Sequence, residues 1–125
     1  MEIIISNSTK KPIYEQITQQ IKSMIMAGEL HAGDPLPSIR GLAKTIKVSV
    51  ITVQRAFDDL QRDGFIETTV GRGSFVAQRN NDFIQEEQYR RVEEHLEAAV
   101  DIARTSGIPA DKLAALLQLF YDESS

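Results

Sequence analysis

The chain has 125 residues, with 14 Lys and Arg against 18 Asp and Glu for a formal charge of −4, and it contains no Cys. Without Cys there is no disulfide framework, thiol nucleophile or Cys-ligated zinc, and no apolar run approaches the roughly 18 to 20 residues of a membrane helix. As a whole-chain number, −4 argues against nucleic acid as the partner.

Residues 1–9 include Ile3-Ile4-Ile5 but no basic flank and no small-residue cleavage site, so a cytoplasmic chain without a signal peptide is expected. Pro12 suits the first position of a helix, where its missing N–H is not needed. Ile13, Ile17, Ile21, Met24 and Ile25 then form one stripe at helical period, and Gly28 is the expected stop. Residues 30–38 contain Gly33, Pro35 and Pro37 and are not helical throughout. Ser38 is placed to cap a helix over 39–46 with Ile39, Leu42, Ala43 and Ile46 inward, although Gly41 weakens its first turn.

Ser49 is the cap of a third predicted helix over 50–62, with Val53, Ala56, Phe57 and Leu60 buried and Gly64 ending it. The period then changes. Segments 65–70 and 74–77 are β-prone, and Gly71-Arg72-Gly73 between them predicts a tight hairpin with Arg72 near its tip. Residues 80–82 form a connector and cap. A long helix over 83–106 follows, with Tyr89, Val92, Leu96, Ala99, Val100 and Ala103 on one face, ended by Gly107 and Pro109. A last helix over 110–121 presents Leu113, Leu116, Leu117 and Phe120, and the short link predicts antiparallel neighbours. The aromatic residues Phe83, Tyr89, Phe120 and Tyr121 are expected in the tail core or an interface.

The charge divides along the same lines. Residues 1–80 hold ten basic and eight acidic residues, a charge of +2, while residues 81–125 hold four and ten, a charge of −6. The expected fold is mainly α with a small β-hairpin: a winged helix-turn-helix over 1–79, then a two-helix C-terminal dimerisation tail over 80–125. In that layout the third helix enters the DNA major groove. Ser38, Ser49 and Thr52 sit at helix N-termini, where N–H groups and hydroxyls hold phosphate oxygens. Arg40 and Lys44 share a face of the second helix. Gln54 and Arg55 lie on the outward side of the third, where Gln54 can pair an adenine edge. Arg55 has two options, a phosphate or a salt bridge to Asp58 or Asp59, and the salt bridge is favoured. Arg72 at a glycine-flanked tip suits a minor groove.

Pro12-Ile13-Tyr14-Glu15-Gln16-Ile17, Gly28-Glu29-Leu30 and Gly33-Asp34-Pro35-Leu36-Pro37-Ser38-Ile39-Arg40 occur in that order. Leu42-Ala43, Val48-Ser49, Thr52-Val53-Gln54-Arg55-Ala56, Leu60, Asp63-Gly64-Phe65-Ile66 and Gly71-Arg72-Gly73-Ser74-Phe75-Val76 continue the pattern. This ordered set resembles the GntR family of bacterial transcriptional regulators. The resemblance implies a dimeric repressor that binds a double-stranded DNA operator. Arg40 matches the family's phosphate- or base-contacting Arg, Ser49 and Thr52 match hydroxyls at the start of the recognition helix, and Gly71, Arg72 and Gly73 match the wing tip. Many members carry Arg or another polar residue where this chain has Val50 and Ile51, and Arg where it has Gln54. Val50 or Ile51 offers instead an apolar contact to a thymine methyl.

Only residues 81–125 follow the wing, which resembles the family's short YtrA-type branch, whose tail mainly dimerises. Two striped helices do not close a core alone, so Tyr89, Val92, Leu96, Val100, Leu113, Leu116, Leu117 and Phe120 are the expected homodimer interface. A two-fold dimer places its recognition helices about one DNA turn apart, on an inverted repeat. The tail leaves room for a small-molecule effector. His31 and His95 have no ligand spacing, and the acidic residues from Glu86 to Asp101 read as a solvated face, so no metal, cofactor or enzyme chemistry is expected, and no membrane partner. The competing reading is a protein-interaction module whose acidic helical tail recruits a partner.

Overall fold

The computed structural model describes residues 1–78 and 81–123, apart from the side chains of Asn81 and Phe83. The connector expected at Asn80 and the apolar role expected of Phe83 therefore lie outside the described residues. The order is α1 (Ile13–Met26), α2 (Ile39–Ile46), α3 (Val50–Arg62), β1 (Ile66–Thr69), β2 (Gly73–Val76), α4 (Asn81–Ser106) and α5 (Ala110–Glu123). Two compact units result, one spanning Met1–Gln85 and the other beginning at Glu86.

In the first unit α3 is the hub, packing against α1, α2 and β1. Its Val53, Ala56, Phe57 and Leu60 are buried, as the periodicity predicts, and meet Ile17, Ile21 and Ile25 of α1 and Leu42 and Ala43 of α2 in one cluster. Phe65, Ile66 and Val76 close it from the hairpin, and Ile84 from the first turn of α4. Each fully buried side chain of this kind contributes about 1.5–3 kcal/mol relative to exposure. Lys22 of α1 bridges to Asp63, the C-cap of α3, at 2.9 Å and lies over the Phe65 ring.

Pro12 sits one place earlier than expected. It is the N-cap of α1, and its carbonyl accepts from the N–H groups of Glu15 and Gln16 at 3.1 Å. Before it, the N-terminal segment is held on α1 by two side-chain amides. Gln16 accepts from the Ser6 N–H at 2.9 Å and donates to the Ser6 and Lys11 carbonyls at 2.9 and 3.0 Å. Gln20 accepts from the Ile4 N–H at 2.9 Å and donates to its carbonyl at 2.7 Å. The two glutamines, one turn apart, act as the missing neighbour strand for an extended chain, and Ile3 reaches the core. Gln16→Ala should therefore lower the unfolding free energy by about 1–3 kcal/mol, because it strands half-buried backbone groups. Urea unfolding measures this, and accelerated hydrogen exchange at the Ser6 amide locates it.

The wing is broader than a hairpin. β1 and β2 pair antiparallel, with Ile66 opposite Val76 and Thr69 opposite Gly73. Segment 33–36 adds to the far edge of β2: the Gly33 and Leu36 N–H groups donate to the Val76 and Ser74 carbonyls, and the Val76 N–H donates to the Asp34 carbonyl. The Gly- and Pro-rich stretch thus braces the wing.

In the second unit, α4 ends where expected. The Ile108 N–H donates to the Ala103 carbonyl at 2.8 Å, with Gly107 at φ +74° supplying the left-handed residue of the turn. Among the described residues, α4 and α5 share little close backbone contact. Ala103 is buried and Leu113 half-buried at the corner, and α5 has no buried residue. A short link permits antiparallel packing but does not by itself impose it.

Candidate nucleic-acid interface

Ser38 caps α2 by accepting from the Gly41 N–H at 3.0 Å. Gly41 suits this cap, since a Cβ there would stand 2.8 Å from the Ser38 hydroxyl oxygen. Arg40 and Lys44 follow, both exposed and one turn apart. The turn into α3 passes through Lys47, which takes a left-handed conformation (φ 58°, ψ 49°) that glycine more commonly occupies.

Ser49 caps α3, accepting from the Thr52 N–H at 3.1 Å, and its hydroxyl lies 2.7 Å from that of Thr52. Two hydroxyls share one hydrogen bond, so one O–H is left to donate outward, beside backbone N–H groups at a helix N-terminus. Val50 and Ile51 stand next to them, Ile51 81% exposed. Ile51 is thus an apolar side chain left largely open to solvent at the start of a helix.

Gln54 is exposed and donates to Asp58 Oδ1 at 2.9 Å along the helix. Arg55 does not form the favoured salt bridge. Asp58 is engaged by Gln54 and Asp59 by Arg62 at 3.1 Å, while the Arg55 guanidinium lies 3.7 Å from the Tyr14 ring centroid. The packing of α1 on α3 brings an aromatic face to Arg55, and local spacing along one helix carries no information about that neighbour. Among the described residues, Arg40, Lys44, Arg55 and Arg72 make no ion pair.

The hairpin tip is Val70-Gly71-Arg72 rather than Gly71-Arg72-Gly73, because Gly73 already pairs as the first residue of β2. The Arg72 N–H closes the turn on the Thr69 carbonyl at 3.0 Å, and Gly71 adopts the positive φ (+81°) that the turn needs. Arg72 is exposed there, beside a fully exposed Val70 that sequence reasoning did not single out.

The first unit therefore carries Ser38, Arg40, Lys44, Ser49, Val50, Ile51, Thr52, Gln54, Arg55 and Gly71, Arg72 and Gly73 on two packed helices and one braced hairpin. The tail residues belong to the second unit. Tyr89, Val92, Leu96 and Val100 lie on one face of α4 and are exposed, as are Leu116, Leu117 and Phe120 of α5. Ile102, Ile108, Leu119 and Tyr121 are exposed too, so the apolar surface is wider than the two stripes.

Residues 13–76 match the model for bacterial regulatory proteins of the gntR family. The chain is 36% identical over 111 residues to the HTH-type transcriptional repressor YtrA of Bacillus subtilis (strain 168), covering 89% of this chain and 85% of that protein. Its fold is similar to YtrA from Sulfolobus acidocaldarius, a GntR-family transcription factor, with a TM-score of 0.60, 32% identity and 97% of each chain covered. It also resembles AraR(DBD) in complex with operator ORX1, with a TM-score of 0.55 and 28% identity, covering 62% of this chain and 96% of that one.

Proposed function

This chain belongs to the gntR family of bacterial regulatory proteins and is a DNA-binding transcriptional regulator, not an enzyme; from that premise we propose that it is a cytoplasmic, homodimeric repressor of an inverted-repeat operator. The observation that carries the reading is the outward face of α2 and α3: exposed Arg40 and Lys44, the Ser49–Thr52 hydroxyl pair, and exposed Val50 and Ile51, all beside the N-terminus of a helix packed as the hub of the fold. In this reading α3 lies in the major groove, with Ser38, Arg40, Lys44, Ser49 and Thr52 on phosphates. Ile51 and Val50 meet a thymine methyl, and Gln54 leaves Asp58 for an adenine edge. The wing places Arg72 in the minor groove. Residues 1–79 form the reader and residues 80–125 the dimer element, whose exposed stripes on α4 and α5 are covered by the second copy. Similarity to YtrA of Bacillus subtilis, which is named a repressor and matched along most of its length, supports the sign of regulation. The tail also leaves room for a small-molecule effector.

A duplex selected by the wild-type chain from a randomised DNA pool provides the test. It should contain an inverted repeat and bind with a steep loss of affinity on adding salt. Arg40→Ala and Arg72→Ala should each weaken binding by about 1–3 kcal/mol while thermal stability stays within error, because both side chains are exposed and make no ion pair among the described residues. Salt-independent binding, or a large fall in thermal midpoint, would contradict the assigned roles.

A further inference from the structure

We infer that Tyr14 is a positioning residue for DNA recognition: its ring is a platform that holds the Arg55 guanidinium ready for an operator phosphate. The inference rests on the operator-binding reading and adds a residue of α1 to it. Arg55 is exposed on α3, and its guanidinium lies 3.7 Å from the Tyr14 centroid. Stacking uses the face of the guanidinium and leaves its in-plane N–H donors to a planar or tetrahedral anion. Along α3, Asp58 accepts from Gln54 and Asp59 pairs with Arg62 in the free protein, and among the described residues Arg55 makes no ion pair with either. Arg55 thus keeps its charge unneutralised among the described residues and has lost rotamer freedom before DNA arrives. Tyr14 is itself half-buried against the core in the first turn of α1, so the platform is anchored. A long, flexible Arg would otherwise be ordered only on binding, at a cost to affinity.

The 125-residue chain and its selected duplex test this, with binding titrated at several salt concentrations. Arg55→Ala should reduce affinity about tenfold or more and make the log-affinity against log-salt slope shallower by about 0.9 for each phosphate that is no longer neutralised. Tyr14→Leu should reduce affinity about three- to fivefold, with no further loss when added to Arg55→Ala, and Tyr14→Phe should bind as the wild type. In the free protein, the Arg55 side-chain proton resonances should carry an upfield ring-current shift that Tyr14→Phe keeps and Tyr14→Leu abolishes. Equal losses from Tyr14→Leu with and without Arg55 would make Tyr14 merely structural and overturn the inference. So would an unchanged slope in Arg55→Ala while Arg40→Ala still weakens binding, an outcome that leaves the operator reading intact. If Tyr14→Leu fails to fold, the ring-current shift in the wild type and the Arg55→Ala slope decide between the outcomes. Failure of the wild-type chain to select any duplex would instead remove the reading beneath it.

Discussion

Replacing Leu96 and Leu117 together with Asp should convert the protein to a monomer and weaken operator binding at least about a hundredfold, the loss expected when two linked half-sites are bound independently. Leu96 and Leu117 lie on the apolar stripes of α4 and α5 and are 44% and 55% exposed in the single chain. An Asp at either place meets water in the monomer and costs its fold little, but in a dimer it is a charge buried without a partner. Light scattering after gel filtration reads the mass, and titration of the selected duplex reads the affinity. Two outcomes separate the competing tail functions. A monomer that retains thermal stability and loses operator affinity identifies the tail as the dimer element. A variant that stays dimeric and binds normally shifts the tail's role to recruiting another protein through its acidic, apolar surface.

The second large effect is on stability. Phe57→Ala should lower the unfolding free energy by about 3–5 kcal/mol, the range for deleting a buried aromatic side chain and leaving a cavity. Phe57 is 2% exposed and lies on the helix that packs against α1, α2 and β1 at once, so no single neighbour can collapse into the void. A domain of this size is stable by about 5–15 kcal/mol, so the variant should be partly unfolded under mild urea and should lose operator binding with its fold. Urea unfolding followed by far-UV circular dichroism checks it. The contrast is with Ile51, on the opposite face of the same helix and 81% exposed, whose truncation has no cavity to create. In the proposed reading one helix does two separable jobs, and the period of its sequence assigns each residue to one of them.

The helix boundaries of the reader were legible because their signals are local. Ser38 and Ser49 announce α2 and α3 through hydroxyls that reach a backbone N–H three residues on, and the structure shows both bonds. The inward faces of α1, α2 and α3 follow from apolar spacing alone. The hairpin shifted by one residue because a glycine pair marks a turn without saying which glycine is inside it, and strand pairing settled that Gly73 is outside. Lys47 gave no warning of its left-handed backbone, since its type does not favour one.

Charge, which at −4 spoke against DNA, was informative only once divided along the chain into +2 and −6. In the proposed reading, a modest +2 means that recognition would rest on a few placed side chains rather than on a broad field. Which side chains are free for it was decided by tertiary structure. Among the described residues Arg55 makes no ion pair with Asp58 or Asp59, and α1 brings Tyr14 alongside it. The N-terminal segment is ordered because Gln16 and Gln20 face it, and the wing is braced because segment 33–36 folds back onto β2. The tail helices share little close backbone contact among the described residues, and most of their apolar stripe residues are exposed. What the sequence by itself determined were the elements, their caps and their buried faces, since these depend on groups a turn or two apart. Only the tertiary structure chose the partners between elements, because a residue's neighbour across a packed interface is set by how whole helices dock, and no short-range period encodes that.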